Sequence, residues 1–116
     1  ETVHAVYPDV PIIGFPRNAG VLYRDFVEDT GVQGISIDAT VPLSWAAEEL
    51  QPLCTVQGNL DNHLLFNGGV IMEEEVRTIL SVLKNGPFIF NLGHGVLPLT
   101  PIENVGRAID IIRGAA

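Results

Sequence analysis

The sequence has almost no cysteine, few basic residues and no long apolar run, and each of these absences excludes a class of protein. Its single cysteine, Cys54, excludes an internal disulfide framework and a multi-cysteine zinc site. No apolar run approaches the roughly 18 residues that a membrane-spanning helix needs, so we expect no membrane partner. No signal-like segment opens the chain, and we therefore predict a cytoplasmic protein.

The charge balance is strongly acidic. The 116 residues include 6 Lys and Arg against 14 Asp and Glu, which gives a formal net charge of −8. Because nucleic acids and anionic membranes are bound by clustered basic residues, and these are scattered here, we expect neither as a partner. With 47% hydrophobic and 17% charged residues, the chain is too apolar to be disordered and fits one folded domain.

Four short apolar runs alternate with segments of helical spacing. The runs are rich in Ile, Val or Phe and too short for helices, which predicts strands buried on both faces; they are residues 10–15, 34–38, 55–60 and 87–92. The helical segments carry apolar residues at every third or fourth position. Examples are a stripe of Met72, Val76, Ile79, Leu80 and Leu83, a segment at residues 42–50 that opens on Pro42, and a last stripe of Ile102, Val105, Ile109 and Ile112.

This alternation predicts an α/β fold in which parallel strands are joined by right-handed crossovers. Residues 1–7 precede the first strand and are typical of the tail of an earlier helix. The pattern allows two architectures, an open doubly wound sheet and one half of a (β/α)8 TIM barrel.

In both architectures ligands bind where the strands end, which draws attention to Gly93-His94-Gly95 after the fourth run. Two glycines allow a sharp turn, and an imidazole can donate a hydrogen bond to a carboxylate or pyrrole substrate. The competing interpretation is that His94 only caps the turn. Neither a G-x-G-x-x-G motif nor a P-loop is present, so nucleotide binding is not indicated.

Asp38 and Arg17 are weaker candidates at the same strand ends. An unpaired carboxylate after an apolar strand is costly, so Asp38 is expected to bond either neighbouring backbone N–H groups or a functional partner. Arg17 follows the first run and could meet an anionic ligand, although an exposed loop arginine usually has no specific partner.

The ordered motifs resemble those of the uroporphyrinogen decarboxylase family over essentially the whole chain. The most specific is N-L-G-H-G followed by P-x-x-P-x-E-N-V at residues 91–105, preceded by V-Q-G-N-L-D at residues 56–61, G-I-S-I-D at residues 34–38 and V-P-I-I-G-F at residues 10–15. The family's pattern usually has proline where this chain has Asn62, which is a minor departure.

The resemblance implies a cytoplasmic, homodimeric (β/α)8 barrel without metal or other cofactor. Such a carboxy-lyase removes carbon dioxide from the four acetate side chains of uroporphyrinogen III to give coproporphyrinogen III in haem biosynthesis. Residues 1–116 would be the C-terminal half-barrel of that single domain. By motif, His94 would bind substrate, whereas the catalytic aspartate and the arginines that hold carboxylates would come from the N-terminal half.

Two alternatives stay open. A barrel methyltransferase of the same superfamily would place a His-x-Cys pair after the first run and a cysteine where His94 stands, but this chain has Pro16 and Arg17 after that run. The second alternative is a non-catalytic half-barrel that serves only for association.

Overall fold

The computed structural model describes residues 2–114 and shows one sheet of four parallel strands. The strands lie side by side in chain order and are β1 (Ile13–Gly14), β2 (Gly34–Ser36), β3 (Thr55–Leu60) and β4 (Phe88–Leu92). The predicted parallel α/β sheet is therefore confirmed. The order also makes β1 and β4 the two edge strands.

Helices separate the strands as the alternation predicts. They are α1 (Thr2–Val6), α2 (Leu22–Thr30), α3 (Leu43–Trp45) with a π-helical continuation (Ala46–Leu50), α4 (Asn62–Asn67), α5 (Gly69–Leu83) and α6 (Ile102–Gly114). Pro42, predicted as the first helical residue, has extended backbone angles and directly precedes α3. Glu1 of the predicted leading helix lies outside the described residues. Within residues 2–114, none of the helices is long and apolar enough to cross a membrane.

The core lies between the helices and one face of the sheet. Ile35 of β2 and Val56 of β3 are fully buried there, and α5 contributes the predicted stripe, with Met72, Val76, Ile79 and Leu83 buried and Leu80 partly so. Burying such a stripe is what stabilises an amphipathic helix in a protein, because its propensity alone is insufficient.

The prediction that all four strands are buried on both faces is wrong for the edge strands. Burial alternates along β4, where Ile89 is 43% exposed, and Ile13 in β1 is 46% exposed. The register places Ile89 beside Gln57 and Gln57 beside Ser36, on the face opposite to the core. A doubly wound sheet would carry helices on both faces, whereas the interior side chains of an incomplete barrel remain open.

Three strands are shorter than predicted. The first run forms pairs only at Ile13 and Gly14, because Pro11 and Pro16 on either side have no N–H to donate. The second ends at Ser36, two residues before Asp38, and the fourth begins at Phe88 rather than at Pro87.

The predicted stripe of α6 is only partly correct. Ala108 and Ile111 are the buried residues, while Ile102 is 77% and Ile109 40% exposed. The apolar arc of α6 extends beyond the helices that it contacts and borders an open cleft beside β4. We call this the edge cleft; it measures about 520 Å³ and is lined by Leu60, Leu65, Phe90, Asn91, Leu92, Val96, Val105, Ala108, Ile109, Ile112 and Arg113.

Candidate functional site

A cleft at the carboxyl ends of the strands brings the three sequence-predicted site residues together. Arg17, Asp38 and His94 all line this loop cleft, which measures about 320 Å³. Its other lining residues are Asn18, Ala39, Thr40, Asp61, Asn62, His63, Gly93 and Leu97. Parallel strands end at one edge of the sheet, so loops distant in sequence meet there.

His94 stands at the junction of two clefts. It lines the loop cleft and also the sheet-face cleft of about 510 Å³, which includes Ile13, Phe15, Ser36, Gln57 and Asn91. The side chain is exposed, and no hydrogen bond joins its imidazole to any other described residue. The ring can therefore meet a ligand that occupies both clefts. Its substrate-binding role stays a prediction.

The backbone of the His94 loop is tightly held although the imidazole is not. The N–H of Gly93 donates to the carbonyl oxygen of Leu60 over 2.8 Å. A Cβ atom at Gly93 would lie 2.5 Å from the backbone nitrogen of Ala39, which is closer than any side chain tolerates. Glycine is therefore required at position 93 because this loop packs directly against the loop that follows β2.

Asp38 is buried and fully engaged by neighbouring donors. The backbone N–H groups of Asn18 and Thr40 each donate to its carboxylate over 2.9 Å, the Tyr23 hydroxyl donates over 2.7 Å, and the Thr40 hydroxyl also donates. Burial alone would raise the pKa of Asp38, but the hydrogen bonds from Thr40, Tyr23 and Asn18 outweigh it and hold the pKa below its ordinary value. The carboxylate is thus an ionised anchor between two loops and α2.

Tyr23 belongs to this cluster and was missed by sequence reasoning. Its ring is fully buried, and burial together with the hydrogen bond to Asp38 raises the pKa of its hydroxyl far above the ordinary value. In the sequence Tyr23 is one of the apolar positions of α2, where it is indistinguishable from a core aromatic residue. Because a buried tyrosine hydroxyl needs a hydrogen-bond partner, a tyrosine at a core position of α2 predicts a bond to a nearby polar group.

Arg17 is exposed and forms no ion pair with another described residue. The backbone N–H of the adjacent Asn18 is bound to Asp38, so the loop that carries the guanidinium is fixed at its next residue. His63 is exposed and lines the same cleft, with Nδ1 3.2 Å from Oδ1 of Asp61. The loop cleft thus offers a permanent cation and two imidazoles.

Comparison with known proteins decides the family. The model of the family described as uroporphyrinogen decarboxylase matches residues 1–115. The chain belongs to the uroporphyrinogen decarboxylase family. It is therefore a portion of a (β/α)8 barrel, as the uncovered sheet face also indicates.

Individual uroporphyrinogen decarboxylases agree with this assignment. The chain is 60% identical to the one from Rhodospirillum rubrum over 113 residues, which cover 97% of the chain and 32% of that relative. The relative from Mesorhizobium japonicum is 53% identical over 114 residues, covering 98% of the chain and 33% of the relative. The relative from Wolbachia of Brugia malayi is 49% identical over 113 residues, covering 97% and 32%. The chain thus spans about a third of the length of these curated relatives.

Membership in the uroporphyrinogen decarboxylase family leaves no support for the methyltransferase alternative. The position of Cys54 also argues against a methyltransferase. This buried thiol precedes β3, at the amino ends of the strands, whereas His94 lies at their carboxyl ends. A thiolate site beside His94 would require a cysteine at the carboxyl ends of the strands.

Proposed function

We propose that the chain is the C-terminal part of a uroporphyrinogen decarboxylase and forms one wall of its substrate site. The observation that carries the proposal is His94, a motif residue at the end of β4 whose imidazole meets two open clefts and bonds no other described side chain. The family match supports it over nearly the full chain.

The chemistry of decarboxylation gives this chain a role in substrate binding rather than in the breaking of the carbon–carbon bond. Decarboxylation of an acetate side chain begins with protonation of a pyrrole carbon, which makes the ring an electron sink. The bond between the methylene and carboxylate carbons then breaks, its electron pair passes to the ring and carbon dioxide leaves. The methylene carbon gains a proton, and the ring carbon releases the proton that it took up, which restores the pyrrole. A fixed carboxylate can stabilise the cationic intermediate. Asp38 is unsuited to this because four donors already occupy it.

Binding a polyanionic substrate calls for donors and cations. His94 would donate a hydrogen bond to the substrate, and Arg17 would pair with a side-chain carboxylate at the loop cleft. A net charge of −8 is unfavourable for such a substrate, so we assign most of the cationic groups and the catalytic carboxylate to the part of the enzyme outside this chain.

The open surfaces support the proposal that further polypeptide completes the same domain. Closing a barrel takes about eight strands, and the four strands here leave β1 and β4 with free edges. The largely apolar edge cleft adjoins β4 and would be covered by the neighbouring elements of a complete barrel. The homodimer and the cytoplasmic location remain predictions from the resemblance.

A chimera tests the function. Residues 2–114 replace the matching segment of the Rhodospirillum rubrum relative, which supplies the rest of a complete enzyme. We expect the chimera to convert uroporphyrinogen III to coproporphyrinogen III, followed by chromatography of the oxidised porphyrins. A chimera that folds cooperatively but is inactive would instead support the non-catalytic association module.

Single substitutions in the chimera test the assigned residues. His94→Ala should lower kcat/KM about tenfold without changing the melting temperature, whereas Arg77→Ala on the exposed side of α5, away from both clefts, should change neither. Arg17→Ala should raise KM, and Arg17→Lys should restore only part of the affinity, because it keeps the charge but not the paired N–H donors of the guanidinium. Unchanged kinetics for His94→Ala would assign this residue to the turn alone.

A further inference from the structure

Asn62 connects the start of α4 to the loop that carries His94. Its side-chain amide nitrogen donates to the carbonyl oxygen of Gly95 over 2.9 Å, and the residue is only 8% exposed. The bond joins positions 33 residues apart, from two different strand-to-helix loops. The bond is partly buried and restrains both partners, since the buried amide of Asn62 would be unpaired without the Gly95 carbonyl.

The side chain of Asn62 is not needed to begin α4. Asp61 performs that task, because its side chain accepts from the N–H of His63 and its carbonyl accepts from the N–H groups of Leu64 and Leu65. The amide of Asn62 is therefore directed at a neighbouring loop rather than at its own helix.

We propose that Asn62 is a positioning residue for His94. The His94 loop is fixed on one side by the N–H of Gly93 bound to Leu60, and on the other by the carbonyl of Gly95 bound to Asn62. With both glycines held, the intervening Cα has little freedom, and the imidazole is presented to the clefts in one place. The effect on binding depends on the proposed function, but the restraint on the loop does not.

Asn62→Pro removes the donor while preserving the helix. Asp61 has ψ 125°, which suits a residue before proline, and the first helical position accepts proline because its N–H has no partner within the helix. We expect amide hydrogen exchange at residues 93–97 of the chimera, read at the Gly93 N–H that bonds Leu60, to become about fivefold faster, in line with the loss of one side-chain hydrogen bond. Exchange within α5 should not change.

Asn104→Ala is the matched control. Its amide also donates to backbone carbonyls, those of Leu65 and Phe66, but it ties α6 to α4 rather than the His94 loop. This variant should lower the melting temperature and leave exchange at residues 93–97 unchanged.

Kinetics of the chimera distinguish positioning from general stability. Asn62→Pro should lower kcat/KM about fivefold in the parent chimera but have no further effect in the His94→Ala background, because it acts through that imidazole. Unchanged exchange at residues 93–97, or equal kinetic effects in both backgrounds, would overturn the proposal. An inactive parent chimera would contradict the proposed function alone, since the exchange measurement still decides whether Asn62 restrains the loop.

Discussion

Replacing Tyr23 by phenylalanine should destabilise the fold through Asp38. The variant keeps the buried ring and therefore makes no cavity, but it removes the hydroxyl that donates to Oδ2 of Asp38 over 2.7 Å. Asn18 and Thr40 remain as donors to the carboxylate. Because a hydrogen bond to a buried charge contributes about 1.5–3 kcal/mol, we expect the free energy of unfolding to fall by about that amount at neutral pH.

The pH dependence has a definite sign. The pKa of Asp38 in the folded protein lies below its ordinary value of 3.8, so the ionised group stabilises the fold above that pH and the contribution is lost as the pH falls through the lower, folded-state pKa. Tyr23→Phe removes one of the bonds that lower this pKa. Its destabilising effect should therefore be full at neutral pH and shrink below pH 3.8.

Urea unfolding of the chimera, followed by circular dichroism at several pH values, measures both effects. Tyr7→Phe is the control, since Tyr7 is 61% exposed and a substitution at such a surface position typically changes stability by less than about 0.5 kcal/mol. If Tyr23→Phe were equally neutral, or if its effect were the same at every pH, the buried carboxylate would not be the anchor that the structure indicates.

Further predictions concern the isolated chain and the glycines at positions 68 and 106. The purified 116-residue chain should not decarboxylate uroporphyrinogen, so an assay for coproporphyrin should detect none. Coproporphyrin formed in a preparation free of host enzyme would contradict this. Sedimentation equilibrium should find it associated, because β1 and β4 have free edges; a cooperatively unfolding monomer at micromolar concentration would be the contrary result. Gly68→Ala should lower chimera stability by about 2–4 kcal/mol, because φ 66° with ψ −158° suits only glycine and a Cβ would lie 2.5 Å from Asn104. Gly106→Ala, in α6 with open space around it, should be neutral or stabilising by urea unfolding.

The sequence was sufficient to predict the βα order and the core stripe of α5, because both depend on local periodicity. It was insufficient to predict which residues of β1, β4 and α6 are buried. Burial of Ile13, Ile89 and Ile109 depends on which elements pack against them. The hydrophobic periodicity of the sequence is the same whether those elements belong to this chain or to other polypeptide. The errors in β1, β4 and α6 therefore lie on surfaces that a complete barrel would cover.

The candidate site was predictable to a similar extent. Arg17, Asp38 and His94 were predicted as candidates because all three follow strands, and they line one cleft because parallel strands end together. Tyr23 and Asn62 were not found as members of the site, since each acts through a contact with a residue distant in sequence: Asp38 in one case and Gly95 in the other. Such pairings exist only in three dimensions.

Several residues of the family motifs have a role in the fold itself. In V-Q-G-N-L-D, Asn59 donates to the carbonyl oxygens of Asp38 and Val41, Leu60 is buried, and Asp61 caps α4. Each of these side chains thus has a structural task within the chain.

In N-L-G-H-G, the residues around the imidazole likewise have a role in the fold. Asn91 accepts a hydrogen bond from the N–H of Leu92, Gly93 leaves room for the backbone of Ala39, and Gly95 receives the amide of Asn62. His94 alone in this motif has neither a hydrogen-bond partner among residues 2–114 nor a place in the core. The backbone around His94 is firmly held, but the exposed imidazole makes no hydrogen bond within residues 2–114 that would stabilise the fold. This is consistent with the proposal that His94 meets the substrate while the rest of the motif holds its backbone in place, and that role stays a prediction.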